Sequence, residues 1–327
     1  MAEEKPMDYP TFGDLQAHIQ SLYQEGDYAG ALKLATEQMD RFPEEAHLLF
    51  YWRICMAART EQIRLVYQLL DNLLDSGFWY GETLLRKSPS LLPLQGLPEF
   101  EARLERNSLL QAIDQKQLFP LITLRSSGRC SLGEEPCPLL FALHENASTA
   151  TASAIFWQEA ASNGWLVAIP QSTQAIWKNA YVWNERDQAV PELIRHYHSL
   201  TGQYALDLQR TVIAGHSMGG EMAIWLAIKN LLPANGFIAL GPGGGLIDEV
   251  ENWTALLREN PARNLRGYLV FGQEDTSIPH ENIRILAEIL NEAGIPTELE
   301  EIPDVGHEYS IEYSQALVRG LNFIEED

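Results

Sequence analysis

The spacing of apolar residues changes part-way along the chain. Up to about residue 107, apolar side chains recur every three or four positions, as they do on the buried face of a helix. Beyond residue 120, short and uniformly apolar runs alternate with helical segments, which is typical of parallel strands covered on both faces. We therefore expect an all-helical domain with a connector over residues 1–115, and an α/β domain with a doubly wound, mostly parallel sheet over residues 116–327.

Individual elements can be placed from these two periodicities. In the first domain, two helices precede helices near residues 45–58 and 61–76, and an irregular connector over 77–98 leads to a short helix from Glu99. Strands of the second domain are predicted at residues 138–143, 165–169, 210–214, 236–240, 267–271 and 297–302. Its helices are predicted at residues 149–163, 188–200, 220–228, 280–293 and 311–324. Because ligands bind at the carboxyl ends of strands in such sheets, functional residues are expected there.

The charge of the chain restricts the partners that it can bind. The formal net charge is −22 and no cluster of lysine or arginine is visible, which argues against nucleic acid and against anionic membrane surfaces. No apolar stretch approaches the roughly 20 residues of a membrane-spanning helix. Residues 1–6 lack the pattern of a signal peptide, so a cytoplasmic protein is expected.

The cysteines are few and odd in number. Cys55, Cys130 and Cys137 suit a reducing compartment in which thiols stay free. Cys130 and Cys137 flank a short loop and could instead be bonded across it. No spacing of cysteines, or of histidines and carboxylates, indicates a metal site. The glycine-rich run 241–245 lacks the lysine of a phosphate loop and is interpreted as a flexible rim.

One motif, Gly215-His216-Ser217-Met218-Gly219, joins a predicted strand to a predicted helix. A Gly-x-Ser-x-Gly turn in this setting is typical of a nucleophile elbow, in which a strained turn presents the serine hydroxyl above the sheet. The glycines lack a Cβ, so the strand and the helix can approach each other closely. Ser217 is therefore the candidate nucleophile, and the alternative is an ordinary glycine-rich turn. His216 is expected to pack beneath this turn.

A serine hydroxyl needs a general base, and the base needs a carboxylate that holds its ring. Asp275 follows the predicted strand 267–271, and His307 follows the predicted strand 297–302. Both residues are therefore expected at the same edge of the sheet as Ser217, in a Ser-His-Asp triad.

Each of these two residues has a rival in the sequence. Glu274 directly precedes Asp275 and is interpreted as a solvated loop acid. His280 is interpreted as the start of a helix, and Asp304 as a surface turn residue. The sequence favours Asp275 and His307 and leaves Glu274 and His280 as alternatives.

The elbow and the chain order of serine, acid and histidine resemble those of the α/β-hydrolase superfamily. The resemblance spans about residues 120–327, and the glycines before the acid and the histidine, Gly272 and Gly306, also carry it. Within the superfamily the compact layout is similar to the carboxylesterase, phospholipase-like and dienelactone-hydrolase-like branches. The resemblance implies a serine hydrolase that forms a covalent acyl-enzyme and uses no cofactor.

A second resemblance lies in the N-terminal domain. Residues 23–43 contain Gly26-Asp27-Tyr28 and close with Phe42-Pro43, and they resemble one tetratricopeptide-type helical hairpin. Such hairpins usually stack in arrays of about three to be stable alone. Two interpretations stay open, a surface that binds a protein partner or a second copy of the chain, and a cover for the catalytic domain.

The superfamily resemblance also implies where an oxyanion would be held. One donor is the backbone N–H of Met218, and the other comes from the loop after the strand 138–143. Related hydrolases usually have His-Gly in that loop, whereas this chain has His144-Glu145. The N–H of Glu145 is the expected second donor, and Asn146 is the alternative. A carboxylate aimed at the oxyanion would oppose catalysis, so the Glu145 side chain is expected to point away or to pair with a cation.

Three residues are candidates for the substrate pocket. His144 lies in the loop just described, and Trp177 and Trp183 follow the predicted strand 165–169. Aromatic side chains suit an apolar acyl or alcohol pocket. Packing of the two tryptophans in the core explains them equally well.

Together these observations predict a serine hydrolase that cleaves a small-molecule carboxylic ester. A thioesterase or a small-peptide hydrolase would use the same residues. A haloalkane dehalogenase is disfavoured because its elbow needs a carboxylate in place of Ser217. The alternative from another class is a non-catalytic scaffold whose helical repeat binds partners.

Overall fold

A computed structural model describes residues 9–126, 129–261 and 264–326 of the chain. The described residues form two compact units. Unit 1 extends to Gln117 and also contains Ile176–Lys178, and unit 2 contains Leu118–Ala175 and the chain from Asn179 onward. The division between the units falls at 117/118, and residues 176–178 belong with unit 1, which the sequence did not indicate. Residues 1–6, in which we saw no signal pattern, lie outside the described residues.

Unit 1 is helical. Its first helix begins at a Thr11 that accepts a hydrogen bond from the Asp14 N–H, and it ends at Gly26, whose φ of 80° favours glycine. The predicted irregular connector contains a short helix. The helix predicted to be short from Glu99 begins at Pro98 and is 18 residues long. Its length was underestimated because its many polar residues obscure the apolar periodicity. The helices are α1 Phe12–Glu25, α2 Tyr28–Glu37, α3 Ala46–Arg59, α4 Ile63–Asp75, α5 Glu82–Lys87 and α6 Pro98–Gln115.

A short strand segment completes unit 1. Trp177 forms an antiparallel bridge with Tyr80, and its ring centroid lies 4.7 Å from that of His47. Lys178 pairs with Asp114 of α6 at 3.2 Å. The side chain of the buried Asn107 binds both the N–H and the carbonyl of Tyr80, at 3.0 and 2.7 Å. These polar contacts satisfy backbone groups that would otherwise be buried without partners.

Unit 2 is built on a seven-stranded sheet, which confirms the predicted fold class. The strand order is β1-β3-β2-β6-β7-β8-β9, and every neighbouring pair is parallel except β1 with β3. Of the strands given below, β4 belongs mainly to unit 1, which contains its residues Ile176 and Trp177. The strands are β1 Leu121–Leu124, β2 Cys137–Leu143, β3 Leu166–Pro170, β4 Ala175–Trp177, β5 Ala180–Tyr181, β6 Leu206–His216, β7 Gly236–Leu240, β8 Arg266–Gly272 and β9 Thr297–Ile302.

Helices cover both faces of this sheet, as the fully buried strands β2, β3 and β7 require. The predicted helix 149–163 is interrupted by a 3-10 turn over Ala154–Trp157, and two short helices after β7 were not predicted. The helices are α7 Ala150–Ser153, α8 Gln158–Ser162, α9 Arg186–Thr201, α10 Met218–Lys229, α11 Gly245–Asp248, α12 Asn252–Glu259, α13 His280–Glu292 and α14 Ile311–Glu325.

Cys130 and Cys137 form a disulfide, with 5.3 Å between their Cα atoms. This corrects the expectation that these thiols stay free. Both cysteines are held beside Ala205, whose N–H donates to Cys130 and whose carbonyl accepts from the N–H of Cys137. The shared backbone partner brings the two side chains within bonding distance. Cys55 is a buried free thiol of unit 1.

None of the described helices combines the length and the apolar character that a membrane crossing requires.

Candidate active site

The elbow predicted from the sequence lies at the centre of the sheet of unit 2. Ser217 follows the last residue of β6 and immediately precedes α10, and its φ of 52° and ψ of −122° are strained for a side chain with a Cβ. A Cβ on Gly215 would lie 2.0 Å from the Gly219 carbonyl oxygen, and one on Gly219 would lie 2.4 Å from that of Leu143. Glycine is therefore required at both positions by contacts between backbones.

The structure brings Ser217, His307 and Asp275 together beyond the carboxyl ends of β6, β9 and β8. His307 Nε2 is 3.0 Å from Ser217 Oγ, and His307 Nδ1 is 2.6 Å from Asp275 Oδ2. Since a carboxylate oxygen only accepts, Nδ1 carries the proton, and the lone pair of Nε2 faces the serine hydroxyl.

The carboxylate of Asp275 is fixed on its other side as well. Asp275 is 2 % exposed, and its Oδ1 accepts a hydrogen bond from the Ser277 N–H at 2.8 Å. The loop is further held by Tyr313, whose hydroxyl accepts from the Gly272 N–H and donates to the carbonyl of Gly306. Burial raises the pKa of Tyr313 to about 12, so this hydroxyl stays protonated. Tyr313 thus ties the acid loop to the histidine loop.

His216 supports the candidate base from below, rather than only packing beneath the elbow. Its Nε2–H donates to the backbone carbonyl of His307 at 2.9 Å, and its ring stacks on Phe156 with centroids 4.7 Å apart. Burial, with a smaller contribution from His307, lowers the pKa of His216 to about 3. The ring is therefore neutral at pH 7.

A second buried histidine shapes the loop after β2. The Nδ1–H of His144 donates to the carbonyl of Glu145 at 2.9 Å, and its Nε2 accepts from the Ser172 N–H at 3.3 Å. Burial lowers the pKa of His144 to about 4, which keeps the ring neutral in this arrangement. The indole N–H of Trp183 holds the carbonyl of His144 at 2.9 Å, and the backbone N–H of Trp183 contacts the sulfur of Met218 at 3.4 Å.

A cavity of about 540 Å³ opens over the serine hydroxyl. Its wall combines the elbow, the loop after β2 and the histidine loop. No lysine or arginine lies among the described residues that form it. They are Glu145, Asn146, Ala147, Ser148, Phe156, His216, Ser217, Met218, Gly243, Gly244, Ser277, Ile278, His307 and Glu308.

Three residues that we considered for the pocket do not line this cavity. His144 is fully buried behind the loop, and Trp183 packs on His144 with ring centroids 4.7 Å apart. Trp177 belongs to unit 1. The core-packing alternative therefore describes both tryptophans, while Glu145 and Asn146, the two candidates for the second oxyanion donor, do line the cavity.

The rivals of the candidate acid and base lie elsewhere. Glu274 and Asp304 are exposed, and Asp304 occupies a turn with φ of 57°. His280 stacks on Phe271 at the start of α13, with ring centroids 4.4 Å apart. In the described parts of the chain, no group of three histidine, cysteine or acidic side chains is arranged to hold a metal ion.

One buried carboxylate near the cavity was missed in the sequence. Glu221 on α10 is 6 % exposed and pairs with Arg186 at 2.7 Å, and its Oε2 accepts from the N–H groups of Leu246 and Ile247. Burial raises the pKa of Glu221, while the N–H groups and Arg186 oppose that rise. A lone acid within the apolar run of α10 was the available signal. Glu221 anchors the loop that follows Gly243 and Gly244 in the cavity wall.

Part of the chain matches a known protein family. A model of the phospholipase/carboxylesterase family matches residues 171–324, a region that contains Ser217, Asp275 and His307. The chain contains an α/β-hydrolase domain. The match begins after the loop 143–148, so the His144-Glu145 pair of this chain lies outside it.

Solved structures resemble the chain at low sequence identity. An uncharacterized protein from Bacillus cereus ATCC 10987 is 20 % identical, with a TM-score of 0.52, and the match covers 96 % of this chain and 99 % of that one. An S-formylglutathione hydrolase from Staphylococcus aureus is 17 % identical, with a TM-score of 0.47 over 62 % of this chain and 91 % of that one. A thermophilic esterase from Thermogutta terrifontis is 18 % identical, with a TM-score of 0.46 over 62 % and 86 %. No curated protein matches the sequence significantly. The Bacillus structure shows that the fold of the whole chain recurs.

Proposed function

We propose that the α/β-hydrolase domain is a serine esterase that cleaves carboxylic esters through an acyl-enzyme. The observation that carries the proposal is the row of short contacts from Asp275 through His307 to Ser217, at 2.6 and 3.0 Å. A carboxylate, an imidazole and a hydroxyl in this order form a nucleophile with its base and the group that orients the base.

In the first half of the reaction, Ser217 Oγ attacks the ester carbonyl carbon and His307 Nε2 takes the hydroxyl proton. The negative Asp275 stabilises the imidazolium that forms. When the tetrahedral intermediate collapses, the ester C–O bond breaks and the proton on Nε2 passes to the departing alkoxide. The alcohol leaves, and the acyl group stays on Ser217.

In the second half, water attacks the acyl group and His307 again accepts a proton. Collapse of the second intermediate returns that proton to Ser217 Oγ and releases the carboxylic acid. Both intermediates carry a negative oxygen that needs donors placed in advance. We propose the N–H of Met218, at the N-terminus of α10, and the N–H of Glu145 for this role. Among the described residues neither N–H donates a hydrogen bond to another group, so both are available to an oxyanion.

A fluorophosphonate probe tests the proposal directly. The purified full chain should gain the mass of one phosphonyl group, which is the probe less the HF released on reaction, and the Ser217→Ala variant should gain none. Hydrolysis of p-nitrophenyl esters of graded acyl length should accompany the labelling and disappear in the same variant. A folded wild-type protein that neither takes up the probe nor hydrolyses any ester of the series would support the scaffold alternative instead.

The Asp275→Asn variant tests the acid separately from the nucleophile. The amide would present an N–H to His307 Nδ1 and favour the wrong tautomer, while its oxygen could still accept from Ser277. We expect kcat to fall by about 10⁴ with little change in stability, as in other triads. The Glu274→Gln and Asp304→Asn variants change the exposed rivals and should retain nearly full activity. Loss of activity in either of these, with activity retained in Asp275→Asn, would reassign the acid.

A further inference from the structure

The cavity over Ser217 is lined by carboxylates and by no described cation. Glu145 and Glu308 both form part of its wall, and neither is paired with a lysine or arginine in the described part of the chain. Of the two arrangements expected for the Glu145 side chain, pointing away or pairing with a cation, the second is not found among the described residues. Glu308 is exposed and can be hydrated, whereas Glu145 is partly buried.

One oxygen of Glu145 lacks any partner. Its Oε2 is cut off from solvent and accepts no hydrogen bond within the described residues. A carboxylate oxygen that is removed from water without a donor carries an uncompensated desolvation cost. A ligand in the cavity could not contact this inaccessible oxygen, but a positive charge that it places beside Glu145 would offset the cost through its electric field.

The other groups around the cavity leave its charge negative. His216 lines the wall, but its pKa of about 3 keeps it neutral at pH 7. The chain as a whole carries a net charge of −22, so its field attracts cations and repels anions before they reach the cavity. A substrate with a free carboxylate or phosphate would meet repulsion from both sources.

Building on the proposed esterase activity, we propose that the preferred substrates are esters that carry a cationic group close to the scissile bond. The N–H of Glu145 would hold the oxyanion while its side chain binds the cation, so one residue would serve catalysis and selection. The residue that replaces the usual glycine of this loop is then a specificity determinant. Glu308 at the exposed rim would add a weaker attraction.

Pairs of esters that differ only in charge provide the test. Butyrylcholine is compared with 3,3-dimethylbutyl butyrate, which places the cation on the alcohol side. Methyl 6-aminohexanoate is compared with methyl heptanoate, which places it on the acyl side. Acid release is followed by pH-stat at low ionic strength. We expect kcat/KM to favour the cationic member of at least one pair by about tenfold, and the preference to shrink in 1 M salt, where the Debye length is about 3 Å.

Variants assign the preference to its residue. Glu145→Gln should reduce the ratio within a pair to near one, Glu308→Gln should reduce it less, and the matched control Glu274→Gln should leave it unchanged. Because the readout is a ratio, a general loss of activity in Glu145→Gln does not affect it. Should Glu145→Gln fold poorly, judged by fluorophosphonate labelling, the salt dependence of the wild-type ratio is the second measurement.

The outcomes separate this inference from the proposed function. Hydrolysis of the neutral esters with no preference for either cationic partner overturns the inference and leaves the esterase in place. A preference that survives in Glu145→Gln overturns the assignment to Glu145. Labelling of Ser217 without hydrolysis of any of the four esters also counts against the inference. Absence of both labelling and hydrolysis overturns the proposed function itself.

Discussion

The two sides of the candidate oxyanion hole are built in different ways. On the elbow side, backbone packs on backbone, and a Cβ at Gly215 or Gly219 would lie 2.0–2.4 Å from a carbonyl oxygen. On the side of the loop 143–148, side chains hold the backbone: His144 binds the carbonyl of Glu145, and Trp183 binds that of His144. Contact between backbones demands one residue type, whereas a side-chain support can be provided by several. The elbow can therefore be recognised in a sequence, and the loop cannot.

The largest effect should come from adding a methyl group on the elbow side. Gly219→Ala places a Cβ against the carbonyl oxygens of Leu143 and His144, at 2.4 and 2.6 Å, and neither can move without displacing β2. We expect a loss of about 3 kcal/mol or more in the free energy of unfolding, together with loss of activity. Urea unfolding followed by circular dichroism measures the change in the free energy of unfolding.

The matched control for that substitution is Gly245→Ala. A Cβ there would meet nothing within 4 Å, and the position has no positive φ. Its unfolding free energy should stay within about 0.5 kcal/mol of the wild type. Equal stability of the two variants would show that the elbow tolerates a Cβ. It would then not differ from the loop 143–148 in demanding glycine.

The elbow and the loop 143–148 each contain one buried neutral histidine, His216 and His144. The dependence of unfolding free energy on pH should reveal both. The pKa values of His216 and His144, about 3 and about 4 in the folded protein, lie below the unfolded value of about 6.5. The unfolded state therefore binds more protons below pH 6.5, so stability is fully present above that pH and falls as the pH drops toward 4. Between pH 7 and pH 5 each ring should cost about 2 kcal/mol of unfolding free energy.

Urea unfolding at pH 7, 6 and 5 measures this loss in the wild type and in His144→Gln. The variant removes one of the two rings, so its loss between pH 7 and pH 5 should be smaller by about 2 kcal/mol, whatever its stability at pH 7. Identical pH slopes in the two proteins would mean that His144 binds protons equally in the folded and unfolded states, so that its pKa is not lowered by folding.

The loop side should respond to removal of its side-chain support without unfolding. Trp183→Phe deletes the N–H that holds the carbonyl of His144, the residue before the proposed donor. We expect about 1 kcal/mol of lost stability and a drop of about tenfold in kcat, less than the loss of a donor itself would cause. Trp165→Phe, at the residue directly before β3, is the control that should lower stability but leave kcat unchanged. A similar fall in kcat for both would mean that Trp183 acts only through stability.

The smallest effect on stability and activity is expected at Gly243, which lines the cavity near Ser217 but belongs neither to the elbow nor to the loop 143–148. A Cβ there would lie 3.1 Å from Ile278 Cγ2 and 3.8 Å from Ser217 Oγ, so the isoleucine must yield slightly. Gly243→Ala should cost about 1 kcal/mol or less in stability. It should lower kcat/KM for p-nitrophenyl octanoate more than for p-nitrophenyl acetate, because the longer chain competes for the same space. An unchanged ratio between the two esters would place the acyl chain elsewhere.

The distinction between features fixed by local sequence and features fixed by distant side chains also explains how much of the structure could be predicted. Uniformly apolar runs predicted the buried strands of unit 2, because a strand covered on both faces has no polar period to obscure it. The placement of Asp275 and His307 at one edge of the sheet followed from chain direction, because each comes after a predicted strand. Only β8 is such an apolar strand, since β9 is largely polar and partly buried. The half-buried edge strand β1 was missed, because a short run of four residues carries no period.

What could not be predicted depends on partners that are distant in the sequence. The pairing of Cys130 with Cys137 depends on Ala205, which lies beside both. The role of Glu221 depends on Arg186 and on a loop 25 residues further along the chain. Similarly, the orientation of the Glu145 carboxylate depends on residues that are distant in the sequence. The sequence therefore could not decide whether it points away from the oxyanion or pairs with a cation.

The chain enters unit 1 a second time for only three residues, and this limits how the protein can be cut into parts. A fragment that stops at Gln117 would lack the tryptophan that covers Tyr80 and His47, and the lysine that neutralises Asp114. A fragment that starts at Leu118 would carry that tryptophan with no site to receive it. Transferring the helices of unit 1 to another protein would therefore require residues 176–178 as well. The two units are thus poorly suited to exchange as independent domains.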